Sequence, residues 1–541
     1  MTAVWEQNLR HNRQAVAESA GPGLVAIVSG TQADQRYWAQ RFQLTRQEVF
    51  RRDGSTRIVS IHEAVPRGNF LGTLCVWEQF NRPGGELGSG ERDVRLLISM
   101  LFGKGTRLSP FTQALGNCKP RFPTPYRVND LHLTIGECST LYSNLLVRYL
   151  HAGGFRGAVV KWGDEIMLPG ADWLGEAADF SQVDAVRFAW FTQPTEELAR
   201  EKEWILADAS DGRMLFQLVR QPQAALLGRA EVKRGGSTAR LGVNLGSLAA
   251  SYPFLDLAQQ AFAAELSDPR KRVDWDPYVW LALACSTEAE WQEEVAYERS
   301  LGISGLDQLL ERIPDFYLRL VQVRETLEQR NGRPFTVKVL DFGEVFWTDF
   351  GQHLALRQNL ACLLDEDGRG ALTRALFDLP QARDERGNRL VNARIPAGAD
   401  IRDSLIVDAE IRSAETHIRG GILIGGQYGR VNMPQGGMAL FCTVNALDFD
   451  GPNAIALGSI LPVLNLSEGG RHATVITSAG PLQMTTREDI TDYKGANYLQ
   501  ALPGNPVSFD QASALVDATS EELQAQVEQS ARQAVLAAVG I

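Results

Sequence analysis

Long apolar runs are missing from this chain. Nothing in it approaches the ~20 consecutive apolar residues that span a bilayer, and the N-terminus, MTAVWEQNLRHNRQAVAESAGPG, lacks the unbroken apolar core of a signal peptide. The cytoplasm is the expected address. Paired cysteines are missing too: Cys75, Cys118, Cys138, Cys285, Cys362 and Cys442 are scattered. That spacing excludes both a disulfide framework and a zinc-ligand set, and leaves the thiols reduced and structural. Positive charge is in deficit, with 54 Lys and Arg against 65 Asp and Glu and a formal net charge of −11. Such a balance gives no diffuse attraction to a polyanion, so nucleic acid and anionic membrane are excluded as default partners. A phosphate pocket can still be locally basic.

What is present is the composition of a folded protein, 44% hydrophobic and 22% charged. A length of 541 residues exceeds what one core usually serves and argues for about three or four domains. Residues 1–92 open with a helix pattern, then GLVAIVSG reads as a buried strand, TQADQRYWAQRF as an amphipathic segment and STRIVSIHEA as a second strand. The turn-rich NRPGGELGSGE places a boundary near residue 90. Residues 93–385 alternate strand and helix patterns, as expected of an α/β domain with a mostly parallel sheet. After the linker-like QARDERGNR, Ile395, Ile401 and Val407 recur at intervals of six, the period of a left-handed parallel β-helix, here over 390–490. Ile411, Ile418, Ile422 and Ile424 hold that register less strictly, and an ordinary β-rich domain is the alternative. The tail, 505–541, carries the capping-box pattern Thr519-x-x-Glu522 and places Leu523, Val527, Ala531 and Val535 on one helical face.

The most specific signal is Gly103-Lys104-Gly105-Thr106-Arg107-Leu108-Ser109-Pro110 directly after the apolar VRLLISMLF, followed by Lys119-Pro120. Glycines let backbone N–H groups approach phosphate oxygens, and Arg107 with a lysine neutralises a triphosphate. This resembles the signature of the sugar-1-phosphate nucleotidyltransferase family, G-G-x-G-T-R-L-x-P-L-T followed by K-P. Four further stretches are similar to the family's motifs in the family's order. They are Gly163-Asp164 after AVVKW, the strand–Asp211-Gly212–strand hairpin, Val243-Asn244-x-Gly246, which reads as the end of a strand, and Trp347-Thr348-Asp349-Phe350-Gly351. Together they cover about residues 94–360.

The resemblance implies a Rossmann-like, GT-A-like catalytic domain and an Mg²⁺-dependent transfer of a nucleotide onto a sugar or cyclitol phosphate, with release of pyrophosphate. It assigns Gly103, Lys104, Gly105 and Thr106 to the nucleotide and Arg107 and Lys119 to charge neutralisation. Asp164 and Asp349 become the metal ligands, and Asn244 and Gly246 bind the acceptor. A C-terminal β-helix recurs in the family, with roles in oligomerisation, regulation or a second active site, so a homo-oligomer is expected. Three positions depart from the pattern: Phe102 replaces the first glycine, Arg220 stands where glutamate contacts sugar hydroxyls, and Gln221 stands where lysine binds the sugar phosphate. Arg220 is then the nearest substitute cation. Two rival readings follow. One is a regulatory protein on a decayed transferase domain. The other is a bifunctional enzyme whose β-helix transfers an acyl group with His417 as base.

Overall fold

The computed structural model describes residues 3–63, 67–82, 85, 93–103, 105–173, 178–268, 270–490 and 494–538. Strand β1 (Leu24–Ser29) is buried throughout and pairs in parallel with β2 (Arg57–His62) and with β3 (Leu96–Met100). Between them lie the helices Gln32–Val49, whose N-cap Thr31 accepts from the Asp34 N–H, and Gly68–Asn81. The break read near residue 90 therefore falls inside one sheet: the first 92 residues build its outer strands instead of a separate body.

A hairpin of β4 (Pro123–Val128) and β5 (Leu131–Thr134) follows. Strand β6 (Gly157–Trp162) then joins β3 in parallel, and β7 (Glu165–Leu168) leaves the main sheet. The remaining strands of this region are β8 (Ala185–Phe191), β9 (Trp204–Asp208), β10 (Met214–Leu218), β11 (Ala239–Ser251), β12 (Val337–Asp341) and β13 (Phe346–Asp349). The sheet order is β10-β9-β11-β6-β3-β1-β2, with β8 beside β11 and β12 beside β8. From β2 to β6 the sheet is parallel, whereas β11 runs antiparallel to β6, β8 and β9. The hairpin read at Asp211-Gly212 is present, with Gly212 at φ 72° between β9 and β10. The strand read as ending at Gly246 does not end there. It carries a register shift between Asn244 and Leu248 and continues to Ser251.

Alternate residues of the parallel strands serve two cores. Val25, Ile27 and Leu97 face one; Leu24, Ala26, Val28 and Ile98 face the other. Both faces being covered is why these strands read as continuous apolar runs.

Beyond residue 385 the chain winds into a stacked coil. One sheet holds Arg389–Val391, Leu405–Val407, Ile422–Ile424, Met438–Leu440, Ile455–Leu457 and Gly470–Thr477, all parallel, and is closed by the antiparallel Gly480–Arg487. The second sheet is parallel and bent. Its strand Gln427–Met433 pairs with Glu410–Ile411 at its start and with His417–Arg419 at its end, which gives the coil three sides. Leu405 aligns with Ile422, Ile422 with Met438 and Met438 with Ile455, so each turn takes 17, 16 and 17 residues. Three six-residue sides would take 18, so the six-residue register drifts.

Leu405, Val407, Ile422 and Ile424 pack outward into the core of the preceding α/β region, while Ile406 and Leu423 point into the coil. The C-terminal helices are Phe509–Asp517 and Glu521–Ala537. The N-cap of the last is Ser520, one residue beyond the Thr519 read from sequence. Thr519 Oγ1 instead accepts from the Ser478 N–H at 3.0 Å, tying the helix to the coil. Among the described residues no helix is long and apolar enough to cross a membrane.

Candidate active site

The site assembles at the C-terminal ends of β3 and β6, where a parallel sheet presents loop backbone to ligands. After β3 the chain turns through Gly103 (φ 121°) and Gly105 (φ 57°) into a single turn, Thr106–Leu108. A Cβ on Gly105 would lie 3.0 Å from the Lys119 Cβ, so the glycine turn and the Lys119 side-chain stem lie in contact. The Lys119 N–H also donates to the Gly103 carbonyl at 3.3 Å. Lys104 lies outside the described residues.

After β6, Gly163 donates its N–H to the Met100 carbonyl at 3.1 Å, which brings Asp164 beside the end of β3. From there β7 pairs antiparallel with β13, with Glu165 opposite Asp349. The Phe350 N–H contacts the Asp164 carbonyl at 3.4 Å, so the two aspartates, far apart in sequence, become backbone neighbours. Asp349 Oδ1 accepts from the Gly351 N–H at 2.6 Å, and Asn359 holds the Asp349 carbonyl at 2.8 Å.

Gly351 locates the centre. A Cβ built there would lie 2.7 Å from Asp349 Oδ1, 3.3 Å from Lys119 Nζ and 3.4 Å from an Arg107 guanidinium nitrogen. Lys119 also pairs directly with Asp164. Arg107, Lys119, Asp164 and Asp349 thus converge on one small volume.

Burial works against charge on Lys119, but the Asp164 carboxylate overrides it and holds the ammonium above its ordinary range. Burial likewise opposes ionisation of Asp164, and Lys119, then Lys161, bring that carboxyl below the usual value. Two neighbours carried no motif of their own. Burial lowers the Lys161 ammonium, whose Nζ donates to the Trp162 and Glu165 carbonyls at 3.1 and 3.0 Å. Burial raises the Glu165 carboxyl, with Asp164 and Asp349 adding to the rise. Both flank Asp164 in AVVKWGDE, so adjacency was the signal available for them.

None of Asn244, Gly246 and Arg220 is among the groups nearest Gly351. Asn244 is committed to the protein itself: its Oδ1 accepts from Arg187 at 2.7 Å and from the Gly246 N–H at 3.1 Å. Arg187 is fully buried, contacts Asp276 at 2.5 Å and stacks 4.5 Å over Trp280. Sequence reasoning missed both, since they come from unrelated elements. Gly246 (φ 76°) leaves room for Trp162, whose Nε1 a Cβ would meet at 2.7 Å. Arg220 is exposed and pairs with Glu203 at 3.2 Å. His417 is exposed on a coil strand and, among the described residues, its side chain has no hydrogen-bond or ion-pair partner.

The two carboxylates offer hard oxygen donors of the kind Mg²⁺ prefers. Among the described residues no group of three or more His, Cys, Asp or Glu is placed to hold a metal ion, so a cation here would need further ligands from substrate or water.

No protein-family model matches the chain, and no curated protein does. Among solved structures it is similar to the inositol-1-phosphate CTP transferase from T. maritima, at 11% identity and a TM-score of 0.22, covering 67% of this chain and 99% of that one. It is also similar to a structure titled mannose-1-phosphate geranyltransferase from Thermus thermophilus, at 12% identity and a TM-score of 0.22, covering 86% of this chain and 96% of that one. At that TM-score neither likeness decides an activity.

Proposed function

We propose that this protein transfers a nucleotidyl group from a nucleoside triphosphate to the phosphate of a phosphorylated sugar or cyclitol, releasing pyrophosphate. The observation that carries this reading is the convergence of Arg107, Lys119, Asp164 and Asp349 about Gly351, beside the glycine turn that follows β3. Two cations and two carboxylates at the end of a parallel sheet suit a reaction in which one phosphate attacks another. The acceptor phosphate is already ionised near neutral pH, so no general base is required. Positioning and charge neutralisation supply the rate.

In this reading the glycine turn offers backbone N–H groups to the triphosphate, and Arg107 and Lys119 neutralise the attacked phosphate and the leaving pyrophosphate. Asp164 and Asp349 would hold Mg²⁺, which supplies charge neutralisation between phosphates that otherwise repel. Lys119 exchanges Asp164 for phosphate oxygens when substrate arrives. We read the three-sided coil as a left-handed β-helix that supports a homo-oligomer. A strict monomer by light scattering at micromolar concentration removes the oligomeric role. The activity itself is tested by screening nucleoside triphosphates against hexose- and cyclitol-1-phosphates with Mg²⁺ while reading pyrophosphate release. Absence of release from every pair overturns the reading.

A further inference from the structure

The acceptor's phosphate needs a cation, and the two positions where the resemblance looks for its recognition groups cannot readily supply one. Gln221 is buried, with its Nε2 donating to the Val219 carbonyl at 3.0 Å and its Oε1 accepting from the Tyr297 hydroxyl. Arg220 turns outward, its side chain 59% exposed, and is occupied by Glu203.

The segment carrying these two runs beside the end of the helix Glu196–Glu201. The Gln221 N–H donates to the Ala199 carbonyl at 3.0 Å, while Arg220 reaches across to Glu203. Lys202 is the C-cap of that helix. A lysine therefore stands at the end of the helix that the Gln221 backbone contacts.

Its ammonium lies 4.4 Å over the ring centroid of Trp347. Trp347 and Asp349 are two residues apart on β13 and so share a face, about 6.6 Å from each other. The ring attracts the ammonium without neutralising it. Among the described residues no carboxylate forms an ion pair with Lys202, unlike Lys119, Lys161 and Lys233, which all have one.

We propose that Lys202, seated on Trp347, binds the phosphate of the sugar or cyclitol phosphate on the Asp349 side of the site. This rests on the nucleotidyltransferase reading and adds to it the residue that replaces the missing lysine.

Initial-rate kinetics of pyrophosphate release test it, with hexose- and cyclitol-1-phosphates as acceptors. Lys202→Ala should raise the acceptor KM by about 10- to 100-fold, the effect of losing a charge-assisted contact, while the nucleotide KM and Tm stay at wild-type values. Lys202→Met keeps the stem over Trp347 and should behave like the alanine variant; it is the variant to read if alanine disturbs folding. Lys202→Arg should recover most of the affinity. If wild type turns over and both neutral variants keep its acceptor KM, Lys202 is not the phosphate ligand and the transferase reading stands. If wild type releases no pyrophosphate from any pair, both fall together.

Discussion

Gly351 has no room for a side chain that the site can spare. A methyl group there would press on the Asp349 carboxylate, Lys119 and Arg107 at once, with its nearest neighbour at 2.7 Å. Gly351→Ala is therefore expected to lower kcat/KM by about 100-fold or more, the range for misplaced charge-stabilising groups, with a small change in Tm, as checked by kinetics alongside thermal melting. The two aspartates should separate in the same assays. Asp349→Asn keeps an oxygen for the Gly351 N–H, so turnover should collapse while Tm barely moves. Asp164→Asn removes the partner of a buried ammonium, and should also cost stability on the order of 2 kcal/mol. That is less than the ~3–5 of a fully buried pair, because the Asp164 side chain is 23% exposed. Equal Tm for the two variants would count against the Lys119–Asp164 pair. These four charged residues were legible in sequence because each sits in a short motif with its own local geometry. Lys202, Arg187 and Asp276 were not, since their contacts with Trp347 and Asn244 join segments far apart in sequence with no shared pattern.

At the scale of elements, the C-terminal helix Phe509–Asp517 is bound to the turn that presents Lys119. Gln113 donates to Ser513 Oγ at 3.0 Å, and Asn117 donates to the Ser513 carbonyl and Asp517 Oδ1, both at 2.8 Å. Asn117→Ala removes two of these bonds and should raise the nucleotide KM several-fold with an acceptor KM close to wild type. A reversed pattern in the kinetics would detach the helix from the nucleotide side. The coil shows where periodicity runs out as a guide. Ile395 and Ile401, six apart, both face the coil interior, yet Val407, six further on, packs outward with Ile422 and Ile424 against the α/β core. A strand covered on both sides has no alternation to read. The same contact makes the α/β region incomplete without the coil: a chain cut after residue 385 exposes that face and should aggregate or lose its cooperative melt in calorimetry.

Across the whole molecule, two buried histidines contribute to the loss of stability in acid. His353, whose Nε2 faces the Ser109 carbonyl at 2.9 Å, is pushed down to about 4 by burial and by Arg471, and His472 is pushed down to about 4 by burial. In the unfolded chain both titrate near 6.5. Between these values the unfolded state binds more protons than the folded one, so the stability they contribute is complete above about 6.5 and is lost as pH falls towards 4. Denaturant titrations across that window should show a falling midpoint, and His353→Gln should flatten part of the slope. An unchanged slope would place the titrating groups elsewhere. The fold also binds distant parts of the chain to one residue. Arg121, two positions after Lys119, is paired with Asp34 at 2.8 Å, reaches Glu521 at 3.2 Å and stacks 3.9 Å from the centre of Tyr37. During synthesis, the turn that presents Lys119 is not fully braced until the ribosome has passed Glu521. A chain released before Glu521 is then expected to bind the nucleotide several-fold more weakly, since Arg121 keeps Asp34 and Tyr37 but lacks its third partner.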